Sequence, residues 1–287
     1  MRNGYLPPFQ NVSRREFGFG ASALGASALA RCPAFGQTAK FKVFDELLYP
    51  NKPDLAQFGI SPIHIIDRGI WPKDTSHFED PDPELVAKKL ASLPDDGTPV
   101  VMDFEFYSFS EGQAKASEAV QGLSKIAATF HQADKDRAIG FYGYMPVRDY
   151  WRAVKPKISK AYKSWQDENS MSAALAPDVD FLAPSIYTFY NSPSDWRDYA
   201  LAQISEARRI SDKPVYAFLW PNFHDQGIRK QPPPIPPEFW RLQLDTMASV
   251  ADGIVLWGGW DFGKWKSMPW NDEAPWWIET RKFLETL

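Results

Sequence analysis

Cysteine is almost absent from this chain, because Cys32 is the only one among 287 residues. A single cysteine can form neither an intramolecular disulfide nor a cysteine-based zinc site. The four histidines show no ligand spacing, and no glycine-rich phosphate loop follows any predicted strand. We therefore expect no metal and no other cofactor.

The chain also lacks an excess of basic residues, since its formal net charge is −4. An acidic surface argues against nucleic acid as a partner. No apolar run reaches the ~20 residues that a membrane span needs, so we expect no stable membrane anchor.

The first 36 residues have the layout of an export signal. Arg14 and Arg15 precede an apolar, Gly/Ala-rich run (17–30), and small residues follow at 34–36. The Ser-Arg-Arg-x-Phe order resembles the twin-arginine type, although a general secretory signal with two chance arginines would have a similar layout. We expect the twin-arginine export machinery to deliver the protein to the periplasm or the medium.

Removal of residues 1–36 would leave a single domain, residues 37–287. The signal would take four arginines, one Glu and Cys32 with it, which changes the net charge from −4 to −7. The remaining length suits one α/β barrel, which typically has ~250 residues.

Strand-like and helix-like segments alternate along this domain. The predicted strands are 41–46, 63–70, 99–106, 138–144, 180–187, 214–220 and 253–260, and the predicted helices are 82–93, 112–132, 158–171, 195–210, 237–250 and 276–287. Such alternation indicates parallel strands joined by right-handed crossovers. An open doubly wound sheet would also fit, but it usually carries a phosphate loop.

Polar or aromatic residues at the strand ends favour the barrel. They are Asp45, Asp67, Glu105, Tyr142, Tyr187, Trp220 with Asp225 beyond it, and Trp257. In a (β/α) TIM-type barrel the carboxyl ends of all strands meet at one mouth. We therefore predict an α/β fold of this type, distorted and with about seven strands.

The segment PVVMDFEFY (99–107) places two acids in an apolar strand. Because strand side chains alternate, Asp103 and Glu105 share one face, and burial of like charges should raise the pKa of one of them. Three interpretations stay open here: acid/base chemistry on a glycosidic bond, ligation of a hard cation, or a structural cap or ion pair.

Aromatic residues make up 15% of the chain, and many lie beside strand ends. The set comprises Tyr107, Tyr142, Tyr144, Tyr187, Tyr190, Trp220, Trp257 and Trp260. Sugar rings have apolar faces that stack on aromatic rings, so this set favours a glycan partner. Tyr107 and Trp220 are among the candidate substrate-binding residues.

Five segments, MDFEF, IGFYGYMP, APSIY, PNFHD and GIVLWGGW, occur in an order and spacing that resemble the hyaluronidase family of glycoside hydrolases. The resemblance covers roughly residues 41–262, and APSIY and IVLWGGW are its closest parts. It implies a distorted seven-stranded barrel. It also implies that Glu105 is the proton donor, and that Asp103 orients a substrate N-acetyl group whose carbonyl oxygen is the nucleophile.

The resemblance implies substrate contacts as well. Tyr142 and Tyr187 match tyrosines that hydrogen-bond the reacting sugar, Trp257 matches the wall of the acetamido pocket, and Asp225 matches an acid after the sixth strand. Phe104 replaces the family's Trp between the acids, and its second Glu and nearby Arg are missing at 106–108. The resemblance therefore extends to the chemistry rather than to a uronate-containing polymer.

Together these observations predict an exported glycoside hydrolase that cleaves β-linked N-acetylhexosamine bonds in a polysaccharide, by substrate-assisted catalysis with retention. One alternative is an inverting or lysozyme-like barrel glycosidase with a more distant base, such as Asp67 or Asp225. The other is a barrel that binds glycans without cleaving them.

Overall fold

Strands and helices alternate along the chain in the computed structural model, which describes residues 40–224 and 232–287. The expected signal segment, 1–36, and the candidate Asp225 lie outside the described residues. The strands are β1 (Lys42–Leu47), β2 (Ser61–Pro62), β3 (His64–Ile66), β4 (Val100–Met102), β5 (Ile139–Phe141), β6 (Tyr216–Leu219), β7 (Gly253–Gly258), β8 (Trp260–Asp261) and β9 (Lys266–Ser267). The α-helices are α1 (Pro83–Ala91), α2 (Gln113–Ala133), α3 (Lys160–Ser172), α4 (Pro193–Ile210), α5 (Pro237–Val250) and α6 (Pro275–Leu284).

Parallel pairing closes the strands into a ring. β2, β1, β7 and β6 are hydrogen-bonded in that order, and β3, β4 and β5 form a second sheet. Only Ile63 separates β2 from β3, so these two pieces form one strand position. Residues 182–188 complete the ring between β5 and β6 through single bridges, at Tyr142–Ala183, Leu182–Val215 and Ser185–Phe218. The prediction of a distorted barrel with seven strand positions is confirmed.

Side-chain alternation gives the barrel two apolar layers. The inner layer fills the ring, and its buried members are Phe44, Ile63, Val101, Tyr142, Phe181, Ala183, Tyr187, Tyr216, Phe218, Trp220 and Val255. The outer layer lies between strands and helices. It holds the strand residues that alternate with the inner-layer residues, such as Val43, Met102 and Leu256. Two strand residues that are two positions apart therefore face the same layer, so one of known direction gives the direction of the other.

A proline, a short polar capping residue or both mark the start of most of the described helices. Four α-helices start at a proline: Pro83, Pro193, Pro237 and Pro275. Proline is favoured at this position because its missing N–H would have had no partner in the first turn. Side chains of Asp82 and Ser192 accept hydrogen bonds from N–H groups of α1 and α4.

Candidate active site

The acid pair follows β4 at the mouth of the barrel. Val101 lies in the inner layer, whereas Met102 and Phe104 pack in the outer layer. Asp103 therefore faces inward, as predicted from the strand pattern. Its backbone N–H donates to the carbonyl oxygen of Ile66 at 3.0 Å, which extends the pairing with β3 one residue beyond β4 and holds Asp103 in this orientation.

Asp103 is in an environment that favours its protonated form. Oδ1 of its carboxyl group is buried and has no hydrogen-bond partner among the described residues. Burial raises the pKa of Asp103 to about 7, and the charges of Glu105 and Asp67 act in the same direction, while Arg148 opposes them. The expected rise of one pKa in the pair is thus located at Asp103.

Glu105 is more exposed than Asp103 and forms an ion pair across the mouth. Its Oε1 lies 2.7 Å from Nη1 of Arg148, and 47% of the Glu105 side chain is exposed. Arg148 belongs to the loop after β5, where its backbone N–H donates to the carbonyl oxygen of Gly143. Its guanidinium lies 5.9 Å from the ring centroid of Tyr142. The resemblance would place an arginine near residues 106–108, where this chain has none. Arg148, from the loop after β5, instead brings a guanidinium to the acid pair.

A small cavity of about 150 Å³ adjoins this ion pair. Glu105, Arg148, Tyr142 and Gly143 line it together with residues 107–110. A larger cavity of about 470 Å³ lies between the 3₁₀ turn Leu55–Phe58 and α6, away from the acid pair. We place the site at the smaller cavity because Glu105 of the acid pair lines it, together with Arg148 and Tyr142.

The four aromatic candidates on the inner layer are close to one another. Ring centroids of Tyr142 and Tyr187 are 6.1 Å apart, those of Tyr187 and Trp257 5.9 Å, and those of Trp220 and Trp257 5.1 Å. These rings form a continuous wall from β5 to β7. Together with the inward carboxyl group of Asp103, they give the mouth one polar and one aromatic side.

A buried hydrogen bond orients the first of these tyrosines. The hydroxyl of Tyr142 donates to Oγ of Ser185 at 2.9 Å, and the hydroxyl of Tyr150 lies 3.2 Å from the same atom. Burial raises the pKa of Tyr142 and of Tyr187 well above the usual value. Both phenols therefore stay neutral and can donate hydrogen bonds at any physiological pH.

Tyr107 borders the small cavity, but its ring is directed away from the aromatic wall. It packs against Phe78 and Phe106, with centroid distances of 5.4 and 4.9 Å. Its hydroxyl lies against Gly122 of α2, where a Cβ would collide with it. The ring of Tyr107 is thus part of the contact between a mouth loop and α2.

Glu46 is a carboxyl residue of the mouth that the strand-end pattern did not identify. Phe44 is in the inner layer, and Val43 and Leu47 are in the outer layer, so Glu46 faces inward and Asp45 outward. Asp45 instead pairs with Lys52 at 2.7 Å. The expectation that Asp45 lies at the mouth was therefore wrong by one residue.

Residues 40–224 and 232–287 contain neither a metal-binding cluster nor a membrane-spanning helix. No group of three or more His, Cys, Asp or Glu side chains there is arranged to hold a metal ion. Within the same ranges, no helix is long and apolar enough to cross a membrane.

Comparison with known proteins identifies the fold. No protein-family model matches the chain, and no curated protein sequence matches it. Bee venom hyaluronidase, solved in complex with a hyaluronic acid tetramer, aligns with a TM-score of 0.59 at 14% identity, over 86% of this chain and 96% of that one. An endo-β-1,4-mannanase double mutant from Cellulomonas fimi aligns with a TM-score of 0.48 at 14% identity, over 80% and 55% of the two chains. The likeness to the hyaluronidase structure establishes that this chain has the (β/α) barrel fold of that enzyme.

Proposed function

We propose that this protein is a glycoside hydrolase that cleaves β-linked N-acetylhexosamine bonds in a polysaccharide, with retention of configuration. The observation that carries the proposal is the pair Asp103 and Glu105 at the mouth of the barrel, beside the wall of Tyr142, Tyr187 and Trp257. Carboxyl groups supply the proton transfer that glycoside hydrolysis needs, and aromatic rings supply the surface on which a sugar stacks. The fold is also that of one solved glycoside hydrolase, bee venom hyaluronidase.

The different exposure of the two acids supports different roles. Glu105 is the more exposed, so it can reach the oxygen of the leaving sugar and protonate it. Asp103 is largely buried and can accept a hydrogen bond from the N–H of the acetamido group. The acetamide carbonyl oxygen then bonds to the anomeric carbon as the bond to the leaving oxygen breaks, and a cyclic intermediate results.

Water completes the reaction from the face that the leaving sugar has vacated. Glu105, deprotonated in the first step, takes a proton from this water while the water oxygen bonds to the anomeric carbon and the ring of the intermediate opens. Two inversions at one carbon give net retention. The neutral hydroxyl of Tyr187 can donate to an oxygen of the sugar, whereas the hydroxyl of Tyr142, whose proton is directed to Ser185, can accept from a sugar hydroxyl.

The ion pair between Glu105 and Arg148 must open before Glu105 can donate a proton. The proton can come from Asp103, because the raised pKa of Asp103 keeps a proton within the pair near neutral pH. Arg148 is then free to contact the substrate. In this scheme the free protein stores the proton on the less exposed acid, and the bound sugar draws it to the more exposed one.

Release of reducing ends from a panel of amino-sugar polymers tests the proposal, with cellulose as a polymer that has no acetamido group. We expect cleavage of at least one amino-sugar polymer, a first product with the β configuration by NMR, and competitive inhibition by a thiazoline mimic of the cyclic intermediate. An α first product without such inhibition would instead support the inverting alternative, with a base such as Asp67. Binding without any release would support the glycan-binding alternative.

We also propose that residues 1–36 export the protein through the twin-arginine machinery, on the evidence of Arg14 and Arg15 before the apolar run. Replacement of both arginines by lysine should leave the precursor in the cytoplasm. Immunoblots of cell fractions measure this, with Arg2→Lys as the matched control. Normal export of the double variant would instead support a general secretory signal.

A further inference from the structure

Glu46 is a largely buried carboxyl group that the catalytic scheme above does not use. It is the next to last residue of β1 and faces the inside of the barrel mouth, two residues beyond Phe44 of the inner layer. Its partner in the parallel register with β7 is Trp257. Glu46 and the Trp257 indole therefore lie side by side at one level of the mouth.

The surroundings of Glu46 contain little to balance a negative charge. Burial raises the pKa of Glu46 to about 8; the charge of Asp45 adds to this rise and that of Lys52 opposes it. Lys52 is engaged on the outer face of β1, where it binds Asp45 and the carbonyl oxygen of Leu47. Among the described residues, the carboxyl group of Glu46 makes no hydrogen bond. At neutral pH it is largely a neutral acid, which can both donate and accept.

The carboxyl oxygens of Glu46 are not among the fully buried, unpartnered atoms, so a ligand at the mouth can reach them. A carboxyl group that is open on this side and lies beside an aromatic wall points to a ligand. The wall at this point consists of Trp257 and Trp220, with Tyr187 next to both. A sugar ring stacked on Trp257 would direct its hydroxyl groups sideways, toward β1. Glu46 is the polar side chain that β1 places there.

We propose that Glu46 is a substrate-binding residue that hydrogen-bonds a hydroxyl group of an uncharged sugar ring lying on Trp257. This inference rests on the proposed function, because it places a glycan in the same mouth. It adds a statement about the substrate: on the side of the mouth formed by β1 and β7, the sugar carries no carboxylate.

The distribution of charge gives the reason. A uronate on this side would bring its carboxylate beside Glu46, and Lys52, the cation whose charge acts on Glu46, is held on the outer face by Asp45. The guanidinium that faces the acid pair, Arg148, follows β5, and β5 is three strand positions from β1 in a ring of seven. An anionic group of a substrate would therefore bind across the mouth from Glu46.

Two tetramers test this inference, one of β-1,4-linked N-acetylglucosamine and one of hyaluronic acid, titrated calorimetrically into the full chain. Glu105→Gln is included in every protein to prevent cleavage. We expect the uncharged tetramer to bind more tightly than the hyaluronic acid tetramer. Glu46→Ala should weaken binding of the uncharged tetramer by about tenfold, because the sugar hydroxyl loses its hydrogen bond to Glu46. Glu46→Gln should stay within about threefold, because an amide also donates and accepts.

Asp45→Asn is the matched control, since it removes an acid from the same strand on the opposite face, and it should leave the affinity unchanged. Thermal unfolding separates binding from structure: Glu46→Gln should unfold at the same temperature as its parent or higher. A lower unfolding temperature together with lower affinity in Glu46→Gln would show a structural role and overturn the inference.

The remaining outcomes are also decisive. Unchanged affinity of Glu46→Ala, equal or tighter binding of the hyaluronic acid tetramer, or no binding of either tetramer would each overturn the inference. If Glu46→Ala weakens binding as expected but the parent chain with Glu105 intact cleaves no polymer, the proposed hydrolysis fails and the binding role of Glu46 stands.

Discussion

Replacement of Glu105 by glutamine is expected to lower kcat for polymer hydrolysis by about 10³-fold and to leave KM within a few-fold. Glutamine keeps the size and most hydrogen bonds of glutamate, but its amide N–H groups are too weakly acidic to protonate a leaving group. Because Glu105 serves first as acid and then as base in the proposed reaction, both steps slow. Initial rates of reducing-end release over a range of substrate concentrations measure the two parameters separately.

The fold of the Glu105→Gln variant should be unaffected. The side chain is half exposed and, among the described residues, forms an ion pair with Arg148. An exposed pair contributes about 1 kcal/mol or less to the free energy of unfolding. Glu111→Gln, at an exposed acid in the loop before α2, is the control for loss of one negative charge. Full activity of Glu105→Gln would assign the proton donor to another residue and would leave Asp103 as the first candidate.

The helices and the barrel could be predicted because their signals are local. Amphipathic periodicity sets each helix, and a proline marks the first residue of four of them. The strand expected at 180–187 is an exception, since only single bridges form there. Pro184 has no N–H to donate, and its carbonyl oxygen accepts from Phe218, so a regular ladder cannot run through it.

The site could be predicted in part, where strand alternation decides a side chain's direction. The strand pattern predicted that Asp103, Tyr142, Tyr187, Trp220 and Trp257 face the mouth, and the structure places each of them in the inner layer or two residues beyond one of its members. Their roles at the site stay predictions.

Arg148 and Glu46 could not be identified from the sequence, for two different reasons. Arg148 reaches the acid pair from an irregular loop, whose path no periodicity encodes. Glu46 was missed because a shift of one residue exchanges the two faces of a strand, and the segment FDEL has acids on both. The structure shows which of the two acids faces outward: Asp45 does, and it pairs there with Lys52.

Replacement of Asp103 by asparagine is expected to stabilise the protein increasingly as the pH rises, although it removes a residue of the proposed chemistry. The pKa of Asp103 is about 7 in the folded protein against 3.8 in an ordinary carboxyl group. Between these values the folded chain holds a proton that the unfolded chain has lost. The free energy of unfolding therefore falls as pH rises through this window, by up to about 1.4 kcal/mol per pH unit.

The amide in the Asp103→Asn variant does not titrate, so this loss would be absent. The stability difference between the variant and wild type should be small near pH 4 and should grow to a few kcal/mol near pH 8. Urea denaturation at four pH values measures it. All other carboxyl groups contribute to both proteins and largely cancel in the difference. Asp198→Asn, on the exposed face of α4, removes the same charge outside the site and should give a curve parallel to wild type.

The charged groups that act on Asp103 allow an independent check on why its pKa is raised. Glu105 and Asp67 raise the pKa of Asp103 and Arg148 lowers it, so Glu105→Gln should move the pH window of Asp103 downward and Arg148→Met should move it upward. If both substitutions leave the window in place, the raised pKa comes from burial alone. A difference curve for Asp103→Asn that does not change with pH would show that Asp103 is ionised throughout, and Asp103 could then not store the proton that the proposed reaction transfers to Glu105.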